Sequence, residues 1–117
     1  MIAGIHHIAI IVRSESTVDF YRRLGFAEYL RKDRQYDTVV LLRGYGIELE
    51  LFVDPGHPFR ATAPENLGLR HIAFKVNRIE DTVKEYNLTI GPIATDWGGI
   101  RYANTQDPDG NPIELHE

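Results

Sequence analysis

Gly4-Ile-His-His-Ile-Ala-Ile-Ile-Val12 and Gly68-Leu-Arg-His-Ile-Ala-Phe-Lys-Val76 are the same segment written twice, 64 positions apart. A second pair recurs at the same offset: Gly46-Ile-Glu-Leu-Glu-Leu51 against Gly110-Asn-Pro-Ile-Glu-Leu115. The offset superimposes His7 on His71 and Glu50 on Glu114. Self-similarity at a fixed period marks a duplicated supersecondary unit.

Outward from the first copy, residues 4–12 are β-branched and aliphatic and predict a strand. Ser14 and Ser16 offer N-caps, Val18, Tyr21 and Leu24 follow at helical spacing, and Gly25 suits a helix terminus, so residues 15–24 predict a helix. Strands are expected near 26–32, 36–43 and 46–53, with Gly44-Tyr-Gly46 as the turn between the last two. Residues 54–67 hold three prolines and no periodicity, and read as a connector. The pattern then restarts: a strand over 68–76, a helix opened by Asn77 and Glu80, and strands near 89–94, 100–105 and 112–116. Asp107-Pro-Asp-Gly110 is the turn before the last strand. Each half is βαβββ. The expected organisation is one domain over 1–117, with a first module over about 1–53 and a second over about 68–117.

Side chains alternate faces along a strand. Ile8, Ile10 and Val12 form one face, as do Ile72, Phe74 and Val76, and these should pack the helices. His7 and His71 then point the other way, each followed two residues on by an alanine that leaves room beside it. Glu50 and Glu114 likewise oppose the apolar sets Leu49/Leu51 and Ile113/Leu115. Two imidazoles and two carboxylates on the less apolar face make His7, Glu50, His71 and Glu114 candidate metal ligands, in a cleft lined by a curving sheet. Parity turns the neighbour His6 towards the helix, Glu48 is matched by Pro112, and His116 reads as a solvated terminal residue.

The rest of the composition narrows the function classes. A net charge of −4 with no basic run argues weakly against a nucleic-acid face. No apolar stretch approaches the roughly 20 residues of a membrane helix. Without a basic-then-apolar leader the cytoplasm is the expected compartment. The absence of cysteine removes thiolate catalysis, thiolate ligands and disulfides.

At these residues the chain resembles the vicinal oxygen chelate superfamily of glyoxalase, bleomycin-resistance, fosfomycin-resistance and dioxygenase proteins. The resemblance rests on His7-x-x-Ile10-x-Val12, Phe20-Tyr21-x-x-x-Leu24-Gly25-Phe26, Ile47-Glu-Leu-Glu-Leu-Phe52, Gly68-Leu-Arg-His-Ile-Ala-Phe74 and Asp107-Pro-Asp-Gly-Asn-Pro-Ile-Glu-Leu115. It implies an α+β fold in which paired βαβββ modules form a U-shaped mixed sheet around a metal, with helices outside. It also implies His7, Glu50, His71 and Glu114 as ligands, and a homodimer. The ligand set suits Zn, Ni, Co, Mn or Fe. A second carboxylate favours a glyoxalase-like lyase or isomerase, with Glu114 as base and Glu50 as its partner, acting by proton abstraction and enediolate stabilisation on a small carbonyl compound or its thiol adduct. The rival expectations are an antibiotic-resistance thiol transferase and a non-enzymatic binding module. Arg31, Arg34, Arg60 and Arg101 are possible anion contacts that read first as surface charges; His57 and Trp97 are possible cleft residues; Tyr36, Phe52 and Phe74 read as packing.

Overall fold

The computed structural model describes all residues, Met1–Glu117. It divides into two compact units, Met1–Pro58 and Phe59–Glu117. The first contains β1 (Ile8–Val12), α1 (Glu15–Arg23), β2 (Ala27–Asp33), β3 (Thr38–Gly44) and β4 (Ile47–Val53). The second contains β5 (Ile72–Lys75), α2 (Ile79–Tyr86), β6 (Ala94–Thr95), β7 (Arg101–Gln106) and β8 (Pro112–His116). Both are βαβββ. Their sheets have the orders β1-β4-β3-β2 and β5-β8-β7-β6, with the first pair of each parallel and the rest antiparallel. No helix is long and apolar enough to cross a membrane.

The first unit owes its solidity to α1. Thr17, Val18, Phe20 and Tyr21 are buried on one face of this helix, against Val12, Phe26, Val40, Leu42, Leu49 and Leu51 in the same core. Phe20, Tyr21, Phe26 and Tyr45 form a run of edge-to-face ring contacts with centroids 5.2–6.3 Å apart. The helix ends as Gly25 takes a φ of 112°, a left-handed value that favours glycine, while the Phe26 amide returns to the Tyr21 carbonyl. At the β3–β4 hairpin Tyr45 and Gly46 both adopt positive φ, the backbone a tight two-residue turn requires. The Tyr45 hydroxyl donates to the Leu24 carbonyl and ties that turn to the helix end. In the second unit α2 buries only Ile79 fully, above Val76, Ala103, Ile113 and Leu115.

Several boundaries differ from the sequence expectation. The first strand of each unit begins at Ile8 and Ile72, not at 4 and 68, because the ladder rungs start at Ile8–Leu49 and Ile72–Ile113. His7 and His71 therefore sit just before their strands. The strand expected near 89–94 reduces to Ala94–Thr95. Pro92 cannot donate to a ladder, and the preceding residues reach β7 through single bonds, from the Gly91 amide to the Asn104 carbonyl and from Thr105 Oγ1 to the Thr89 carbonyl. α2 is capped at Arg78, not Asn77, and the Ile79 amide donates to the Glu117 carboxylate.

Candidate metal centre

In each unit the sheet sets a histidine and a glutamate side by side in one register. Ala9 is the rung partner of Glu50, and Ala73 the partner of Glu114. The histidine two residues before each alanine is thus the diagonal same-face neighbour of the glutamate on the parallel strand. The alanine methyl leaves the space the longer side chains cross. His7 Nε2 lies 2.8 Å from Glu50 Oε2. His71 Nε2 lies 3.9 Å from Glu114 Oε2, beyond hydrogen-bond reach. Leu49, Leu51, Ile113 and Leu115 are buried while the glutamates between them are not, so the carboxylates face away from the helix side as parity requires.

Each pair offers one imidazole nitrogen and one carboxylate oxygen, a donor set suited to a borderline divalent ion. Within neither unit do three His, Asp or Glu side chains form a group that could hold a metal.

Two neighbours behave differently from expectation. His6 does not turn towards the helix. It precedes the ladder, so strand parity does not govern it; its side chain is exposed, its Nδ1 lies 2.8 Å from His7 Nδ1 and 4.0 Å from Glu48 Oε2. His116 is not a free terminal residue. Its Nε2 lies 3.2 Å from Asp96 Oδ2, and its Nδ1 lies 3.1 Å from the Glu117 carbonyl. Asp96 also accepts the amides of Gly98 and Ile100 across the β6–β7 turn. The Ile100 amide above all, with His116 and the Gly98 amide, holds the Asp96 carboxyl below its ordinary range. Phe52 and His116 share the 64-residue offset, which is the signal that could have singled out this position.

The second-line residues also separate. Arg31 is bound by Glu15 and Glu28, on the helix side of β2. Arg101 is bound by Glu80 and Glu117. Arg60 donates to the Leu69 and Arg70 carbonyls, immediately before His71, and its Nε is buried without a partner. Arg34 donates to both oxygens of Asp37 and lies over the Tyr36 and Phe52 rings. His57 pairs with Asp54 at 3.1 Å, and Trp97 is fully exposed rather than part of a core.

The pattern of the Glyoxalase/Bleomycin resistance protein/Dioxygenase superfamily matches residues 4–115. The chain belongs to that superfamily. It is 41% identical to the uncharacterized protein YwkD of Bacillus subtilis (strain 168), over 100% of this chain and 98% of the relative. A glyoxalase family protein from Enterococcus faecalis has the same fold, with a TM-score of 0.90 at 37% identity over 98% of both chains. At 18% identity, a mutant of the fosfomycin resistance protein FosX from Listeria monocytogenes shares the fold with a TM-score of 0.75, over 99% of this chain and 90% of that one. That FosX structure holds Mn(II) and 1S,2S-dihydroxypropylphosphonic acid. Superfamily members are mostly metal-dependent enzymes.

Proposed function

We propose that His7, Glu50, His71 and Glu114 are the protein ligands of a divalent metal ion, and that the chain is a glyoxalase-like lyase or isomerase. Its substrate is a small carbonyl compound or the thiol adduct of one. The observation that carries this reading is the repeated diagonal His–Glu pair, built by one strand register in two units. A bound divalent ion supplies Lewis acidity that stabilises negative charge developing on a substrate oxygen.

The chain's own groups move the proton. Glu114 is the base: it takes a proton from the carbon next to the carbonyl and returns it to the neighbouring carbon. Its carboxylate is the freer of the two, since His71 stands 3.9 Å away while His7 holds Glu50 at 2.8 Å. A carboxylate with no imidazole in close contact is better placed to accept a proton. Glu50 is its counterpart, and the histidines hold their rings against the two carboxylates. The chain acts as a homodimer in the cytoplasm; exposed Ile5, Ile11, Leu67 and Leu69 supply apolar surface for association.

Metal analysis of protein purified without chelators tests the centre. About one ion per chain is expected for four protein ligands, and unchanged metal in both His7→Ala and His71→Ala would refute it. Turnover of methylglyoxal with a panel of thiols, with product analysis, separates isomerisation from simple addition of a thiol. Light scattering tests the dimer.

A further inference from the structure

Four arginines were candidate anion contacts, and three are committed elsewhere. Arg31 serves the helix side, Arg101 the start of α2, and Arg60 two backbone carbonyls. Arg34 differs in place and in valence. Lys32 is the rung partner of Val39, and Val39 that of Phe52, so these three residues share the face that carries Glu50. Arg34 lies just beyond the last rung of β2, and what sets it on this face is its guanidinium carbon, 5.4 Å from the Phe52 ring centroid. Tyr36 flanks it at 4.7 Å.

Arg34 Nε and Nη2 donate to Asp37 Oδ1 and Oδ2, both at 2.6 Å, and the Arg34 amide donates to the Asp37 carbonyl at 2.8 Å. The Asp37 side chain is only 7% exposed, so the acid anchors the guanidinium from below. Asp37 above all, and also the charge of Glu50, favours the protonated guanidinium. Two of its five N–H groups are used. Both protons on Nη1 and one on Nη2 remain, a planar fork with no protein acceptor.

We propose that Arg34, aimed by Asp37 and laid over Phe52 on the Glu50 face, recognises a planar oxyanion on the substrate. The substrate class narrows accordingly: a carbonyl compound or adduct that also carries a carboxylate-like group. This rests on the Glu50 face being the substrate face, as in the function proposed above.

The test is a titration of the 15N-labelled full chain, Zn-loaded and metal-free, with succinate and with uncharged succinamide. Succinate should shift the Arg34 Nε–H signal and the amides of residues 34–37 and 50–52 saturably, with about tenfold preference over succinamide, as expected for a forked, charge-assisted contact. R34Q should abolish the preference while keeping the wild-type metal content. R34K, which keeps the charge without the fork, should retain a reduced part of it. Equal response to both probes, no shift at residues 34–37, or an undiminished preference in R34Q would overturn the proposal. The wild-type signals decide the matter even if the variants unfold. Because the metal-free arm stands alone, failure of zinc binding would count against the metal centre and not against Arg34.

Discussion

The two units share a register and differ in what they build on it. In the first, His7 Nε2 lies 2.8 Å from Glu50, α1 is anchored by four buried residues, and the β2–β3 turn lays a cation over Phe52. In the second, His71 stands off Glu114, α2 is anchored by one fully buried residue, and the β6–β7 turn sets Asp96 against His116, at the position matching Phe52. Parallel pairing at Ala9–Glu50 and Ala73–Glu114 keeps the donor pairs alike. The turns, which carry no ladder constraint, have diverged in charge. Duplication thus preserved what the sheet dictates and released what loops supply.

The largest expected effect tests the asymmetry of the carboxylates. Glu114→Gln, assayed at saturating metal, should lower turnover by about 100-fold or more, the scale of a lost general base. Glu50→Gln should act mainly by raising the metal concentration needed. Equal losses of turnover at saturating metal would erase the distinction between the units.

The next effect is on stability. Tyr21 is fully buried in a run of ring contacts, and Tyr21→Ala should cost about 3–5 kcal/mol in denaturant unfolding. On α2, where Thr82, Val83 and Tyr86 repeat Thr17, Val18 and Tyr21 at an offset of 65, Tyr86 is only half-buried, and Tyr86→Ala should cost less than half as much. A comparable cost would show that α2 is as deeply anchored as α1.

The turns give a smaller signal. Asp96→Ala removes the acceptor for the Gly98 and Ile100 amides and for His116. Hydrogen exchange at both amides should accelerate, with the metal content unchanged; a loss of metal would tie this turn to the centre.

The smallest effect is on the acid limb of stability. Arg31, chiefly through its side-chain hydrogen bonds, holds Glu15 and Glu28 below their ordinary value of 4.5. Carboxylates lowered in the folded state stabilise it above 4.5 and lose that contribution as pH falls through their folded values. Arg31→Met should therefore reduce stability near neutrality modestly and flatten its fall below pH 4.5. The Glu15 side chain is half exposed, so salt should weaken the effect. An unchanged acid limb would mean that the pair is already screened out.

Much of this was legible before any coordinates. Alternation placed Leu49 and Leu51 inside and Glu50 outside, because a strand with one buried face leaves its period-2 pattern in the sequence. It failed for His6, which lies before the first ladder rung, where nothing enforces alternation. It also failed over residues 89–93, which read as part of a strand although Pro92 breaks the ladder. His116 reads as solvated in the sequence because its partner, Asp96, is 20 residues away and nothing in the local pattern announces it.

The sequence by itself determined the duplication, the βαβββ order and the identity of the four candidate ligands, since these follow from offset, periodicity and residue type. Only the tertiary structure decided which arginine keeps a free fork on the glutamate face and which carboxylate is the less constrained. Those choices depend on non-local ion pairs and on the register between strands, where about an ångström separates a close imidazole–carboxylate contact from a loose one.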